Sequence, residues 1–74
     1  MGRLKPEPFR EVKRRLLAAG FIEVSQKGSH VKFARQLASV VDTVIVPKKL
    51  EIPTGTLRSI LNQAHLEMEE WERL

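Results

Sequence analysis

A turn signal at Lys27-Gly28, set between two short alternating runs, commits the middle of this chain to an antiparallel hairpin. Before the turn, Ile22 and Val24 alternate with Glu23 and Ser25 over residues 21–26. After it, Val31 and Phe33 alternate with His30, Lys32 and Ala34. Side chains of a strand point to opposite faces in turn, so Val31 and Phe33 share one face and His30 and Lys32 the other. A sheet covered on one side buries the first pair and exposes the second.

The flanking segments supply the cover. Pro8 sits where a first helical turn accepts a proline, and Phe9, Val12, Leu16 and Ala19 follow at helical spacing. Gly20 then stands at the position just past a helix, so the spacing predicts a helix over 8–19 with Arg10, Lys13 and Arg14 on its outer side. Residues 1–6 read as a loose lead-in, and residues 35–39 as a loop. Residues 40–46 are strongly β-branched and predict a third strand that Pro47 stops. A second helix opens at Thr54 or Gly55 with Leu57, Ile60, Leu61 and Ala64 as its apolar stripe, and ends near His65. Leu66, Met68, Trp71 and Leu74 pattern a short C-terminal helix in which Trp71 is a packing residue. The expected fold class is α+β: a three-stranded antiparallel sheet with helices on one face and a short C-terminal helix, in one domain over residues 1–74. Two amphipathic helices cover one face of such a sheet and leave the other for solvent or a partner.

Composition narrows the function. The chain has no cysteine, which removes disulfides, thiolate nucleophiles and cysteine zinc sites, and fits an intracellular protein. No apolar run approaches the ~20 residues that span a bilayer, and the N-terminus has no apolar core of a secretory signal. The net charge is +4, but residues 66–74 hold four glutamates against Arg73. Residues 1–65 therefore carry +7, from twelve Lys/Arg against five acids, a balance that suits a polyanionic partner such as nucleic acid.

No phosphate-binding loop, dinucleotide fingerprint or HExxH motif is present, and no metal or cofactor is expected. His30 is the candidate chemical group. A histidine exchanges protons near neutral pH, Lys32 shares its face two residues on, and Lys27 approaches from the turn. RNA cleavage needs a base for the 2′-hydroxyl, a cation for the phosphorane and an acid for the leaving oxygen; a histidine serves the first or last and lysines the second. Arg58, just inside the second helix, is a further candidate phosphate contact.

Three segments resemble the HicA-type (YcfA-like) toxins of bacterial and archaeal toxin–antitoxin modules: Leu17-Ala18-Ala19-Gly20-Phe21, Gln26-Lys27-Gly28-Ser29-His30-Val31-Lys32-Phe33, and Gly55-Thr56-Leu57-Arg58-Ser59-Ile60-Leu61-Asn62-Gln63-Ala64. The resemblance covers roughly residues 9–74. It implies a double-stranded-RNA-binding-like α-β-β-β-α fold, a ribonuclease that cleaves messenger RNA and arrests growth, and a HicB-type antitoxin that covers the active site. The family's catalytic histidine maps onto His30, with Gly28 and Ser29 shaping the turn that presents it. Two departures are visible. The segment after strand three is Pro47-Lys48-Lys49-Leu50-Glu51-Ile52, where the family often has a histidine or glycine soon after the proline; and His65 replaces the glycine that ends the last long helix.

The expectation is thus a cytoplasmic, metal-independent endoribonuclease toxin of the stress-response type, with His30 catalytic and Lys27, Gly28, Ser29, Lys32 and Arg58 on the RNA. The alternatives are an RNA-binding module that does not cleave and a degenerate toxin that only pairs with its antitoxin.

Overall fold

A computed structural model describes residues 4–74. The order is α1 (Phe9–Ala18), β1 (Ile22–Lys27), β2 (His30–Leu37), β3 (Val40–Pro47), α2 (Thr54–Ala64) and α3 (Met68–Arg73). The three strands form one antiparallel sheet in the order β1-β2-β3. This is the α-β-β-β-α arrangement expected from the sequence. Residues 1–3 of the lead-in lie outside the described residues. Within the rest, Leu4 packs on the core, and just past it Glu7 pairs with Ile52 through two backbone hydrogen bonds.

The loop expected over residues 35–39 is corrected by the structure. Strand β2 continues to Leu37, with Arg35, Gln36 and Leu37 paired to Asp42, Val41 and Val40, and only Ala38-Ser39 turn. Segment 35–39 lacks turn residues because most of it is strand. Ala38 adopts a φ of +54°, a left-handed conformation that costs a residue with a Cβ. Ala38→Gly is therefore expected to stabilise the protein by about 0.5 kcal/mol, after the glycine's extra chain entropy is subtracted, and to raise Tm by roughly 2–4 °C. A melting curve checks this; a lower Tm would show that the turn is not strained.

One face of the sheet meets all three helices. Val31 and Phe33 of β2 and Val44 and Val46 of β3 are buried against Val12 and Leu16 of α1, Leu57, Ile60 and Leu61 of α2, and Trp71 of α3. Trp71 also donates its indole N–H to Glu7 Oε2 at 3.3 Å, while Arg15 donates to Glu7 Oε1 at 3.1 Å and to the Trp71 carbonyl. This cluster fastens the C-terminal helix to α1 and gives buried Glu7 its partners, without which its desolvation would be unsupported.

A second polar cluster clamps the other end. Arg35 projects from the covered face of β2 and donates to Asp42 Oδ2 and to the Ala19 and Ala64 carbonyls, each at 3.1 Å. Its guanidinium lies 4.6 Å above the Phe21 ring. His65 completes the cluster through Nδ1, 2.7 Å from Asp42 Oδ1. His65 caps α2 at a φ of +55°, a left-handed position where glycine is the usual residue. Its bond to Asp42 offsets that strain. The Arg35 hydrogen bond is the main reason the Asp42 carboxyl is held below its usual range; burial opposes this, and His65 adds to it.

Candidate active site on the open sheet face

The uncovered face is built by strand register. Lys27 of β1 and Pro47 of β3 stand on either side of His30, and Ser25 and Ile45 on either side of Lys32. Ile22 and Thr43 flank Ala34 in the next row. His30 and Lys32 thus share the open face, as period-two alternation in β2 predicts. In β1 the simple alternation fails. The register slips between Glu23 and Ser25, leaving Val24 as a bulge, so Ile22, Ser25 and Lys27 share the open face in place of Ile22 and Val24. An extra residue in one strand re-aims the side chains that follow it. Here it brings Lys27 beside His30.

Ser25, Lys27, His30, Lys32 and Ile45 line a shallow hollow of about 540 Å³. All five are exposed. The His30 ring makes no hydrogen bond or ion pair among the described residues, so neither of its nitrogens is taken up by another side chain there. Lys27 and Lys32 likewise form no ion pair among them. Among the described residues no acidic side chain stands on this face: Glu23 turns to the helix side, where it meets Lys13 at 3.1 Å, and Asp42 is in the Arg35 cluster. Two unneutralised ammonium groups beside a free imidazole make a face that attracts phosphate.

The turn that presents His30 is held from both sides. Gly28 has a φ of +60°, the sign a two-residue hairpin requires at its first position. A Cβ there would meet nothing within 4 Å, so glycine is needed for its backbone conformation and not for space. Gln26 Nε2 donates to the Gly28 carbonyl at 3.0 Å, and the Lys48 amide donates to the Ser29 carbonyl at 2.7 Å.

Arg58 is not brought to this site. It lies on the exposed side of α2, in the helical layer, and does not line the hollow. His65 is also on the far side of the sheet, bound to Asp42, so the two histidines do not share a site. Ser25 and Ile45 are site residues that the sequence did not single out. Ile45 shares its parity with Val41 and Thr43, in a run too apolar for alternation to mark its row; Ser25 depends on the bulge, which no local pattern reveals.

Among the described residues, no helix is long and apolar enough to cross a membrane. No curated protein matches the chain. A family model described as the HicA toxin of bacterial toxin–antitoxin systems matches residues 9–66.

Proposed function

Because the chain belongs to the HicA toxin family of bacterial toxin–antitoxin systems, we propose that it is an endoribonuclease that cuts messenger RNA at His30 without a metal. The observation that carries this reading is the open face itself: an unpartnered imidazole between two unpaired lysines, with no acid among them. A fold whose only task was to grip RNA would have no use for a free imidazole in that position.

The chemistry follows from the side chains present. His30 accepts the proton of a ribose 2′-hydroxyl, and the 2′-oxygen attacks the adjacent phosphorus. Lys27 and Lys32 face the charge that builds on the non-bridging oxygens. The bond to the 5′-oxygen breaks, leaving a 2′,3′-cyclic phosphate on one product and a 5′-hydroxyl on the other. One imidazole serves one of the two proton transfers in a single pass. The ammonium groups of Lys27 and Lys32 are the cationic proton donors lining the hollow, and one of them gives its proton to the leaving 5′-oxygen. Gly28 and Ser29 act through the backbone, by fixing the turn on which His30 is mounted.

The partner is a cognate antitoxin, in our reading of HicB type, which restrains the toxin by covering this face. Ile22, Val41 and Ile45 are 61%, 59% and 41% exposed there and give such a partner apolar surface beside the cationic hollow. The site of action is the cytoplasm, where messenger RNA is translated.

The decisive experiment is cleavage of purified RNA by the purified protein in excess EDTA. Products ending in 2′,3′-cyclic phosphate and 5′-hydroxyl are expected. RNA that is bound but stays intact would favour the non-cleaving module, and RNA that is neither bound nor cut would favour a degenerate toxin that only pairs with its antitoxin.

A further inference from the structure

The cations of this protein divide into two groups. Lys13, Arg14, Arg15 and Arg35 are engaged by Glu23, Glu11, Glu7 and Asp42. Eight others, Lys5, Arg10, Lys27, Lys32, Lys48, Lys49, Arg58 and Arg73, form no ion pair among the described residues. Two of these eight, Lys27 and Lys32, line the hollow at His30. Three more, Arg10, Lys48 and Lys49, line a separate groove of about 210 Å³, together with Pro8, Phe9 and Leu50.

The groove is built between the first turn of α1 and the connection that follows β3. The Phe9 amide donates to the Lys49 carbonyl at 2.9 Å, which fixes that connection against α1. Lys48 holds its ammonium 5.9 Å from the centre of the half-buried Phe9 ring. Leu50 stands 93% exposed at the rim, an apolar side chain of that size left in water beside three cations. Nearby acids form no ion pair with them among the described residues, although Glu11 feels the charge of Arg10 as the weakest of its cationic influences. Glu7 and Glu11 are spent on Arg15 and Arg14, and Glu51, next in sequence to Leu50, does not line the groove.

The groove and the hollow meet at one end of the sheet. Pro47 faces His30 across the β2–β3 pair, and Lys48 is the next residue, with its amide on the Ser29 carbonyl. With Cα atoms 3.8 Å apart along a chain and about 5 Å apart across a pair, the groove begins roughly 10 Å from His30, about two or three nucleotides of a single strand. We propose that this groove is a second RNA subsite, resting on the nuclease reading above: the substrate strand leaves the open face over the Gly28-Ser29 turn and lays its backbone on Arg10, Lys48 and Lys49. Phe9 and Leu50 then offer an apolar surface to a base, as single-strand binders do. An RNA fits better than an acidic protein segment because the groove's cations lie roughly 10 Å from the proposed cleavage site, within reach of the same strand.

The test uses the full chain carrying His30→Ala, so that RNA stays intact, with and without Arg10→Gln, Lys48→Gln and Lys49→Gln together. Glutamine keeps most of each stem, and the fold uses only the backbone of Lys49. Loss of up to three phosphate contacts is expected to weaken binding of a long single strand about 10–100-fold and to flatten the salt dependence by about 2 in log–log slope. In the His30 protein, the same three changes should lower kcat/KM more for a long strand than for a dinucleotide, which cannot reach the groove. Unchanged affinity and salt slope would overturn the subsite. Intact RNA affinity with lost antitoxin binding would also overturn it, by assigning the groove to the protein partner. RNA that binds the intact groove but is never cut by the His30 protein would sink the nuclease reading and leave the groove standing as a binding surface.

Discussion

Replacing His30 with alanine is expected to end RNA cleavage and growth arrest while leaving the fold untouched. A positioned acid or base contributes typically 10²–10⁴-fold to rate, so the loss should reach about that range. The fold should not respond, because the His30 side chain is exposed and makes no hydrogen bond or ion pair among the described residues; substitutions at such positions change stability by about 0.5 kcal/mol or less. RNA affinity should fall only slightly, since Lys27 and Lys32 remain. Three measurements separate the outcomes: cleavage of labelled RNA, growth after induced expression, and Tm. A variant that cuts RNA as fast as the parent would remove His30 from the mechanism. A variant that loses cleavage together with several degrees of Tm would show that His30 supports the turn instead.

Arg35→Met should have the largest effect on stability. Methionine keeps the aliphatic stem but removes the donors to Asp42, Ala19 and Ala64 and the cation over Phe21. Deleting one partner of a buried pair typically costs 3–5 kcal/mol, against a total of roughly 4–11 kcal/mol for a domain of this size. Much of the variant should be unfolded at 37 °C, and its urea midpoint should fall sharply. Adding Asp42→Leu should recover a large part of the loss, because the uncompensated carboxylate is then gone. No recovery would mean that the helix carbonyls, and not Asp42, carry the cost. The same pair sets the acid limit. The folded Asp42 carboxyl is held below its usual range, so the unfolded chain takes up its proton first as pH falls. The contribution is fully present above the ordinary aspartate pKa and is lost as pH drops through the lower folded value. The parent's Tm should therefore hold near neutral pH and decline below about pH 4, with a shallower decline once Arg35 is replaced. Glu11, lowered chiefly by its hydrogen bond with Arg14, titrates in the same window, but that pair is exposed and screened and adds little.

The sequence discloses what is local and conceals what depends on pairing. The Lys27-Gly28 turn, the apolar stripes of α1 and α2 and the end of α2 at His65 are written in neighbouring residues, and each lies within a residue or so of its expected place. His30 and Lys32 share a face because alternation inside one strand is a local rule. The bulge at Val24 is not local. It exists only relative to β2, and it alone decides that Lys27 and Ser25, and not Val24, stand beside the histidine strand. Residues 35–37 fail as a loop for a similar reason: the strand pairs through them, and Arg35 is drawn inward by Asp42. Asp42 is not marked as buried either, since the run over residues 40–46 is too apolar for alternation to tell its row from that of Ile45. The partner of Asp42, 7 residues back, cannot be picked from sequence. Arg58 shows the reverse limit. Helical spacing says that it is exposed, but not on which side of the molecule.

Gln63 of α2 has a part in how this small sheet ends. Its amide oxygen accepts the N–H of Ile45 at 3.0 Å, filling from a side chain a place that a fourth strand would otherwise fill. By alternation, Pro47 has the same outward orientation and carries no N–H to offer. Half of the outward amides along β3 are therefore withdrawn from any incoming strand, one by a bond and one by the pyrrolidine ring. Bare sheet edges are the places where chains stack into aggregates. A toxin released from its antitoxin, and left with Ile22, Val41 and Ile45 exposed on the open face, is thereby discouraged from solving that exposure by joining edge to edge along β3 with its own kind.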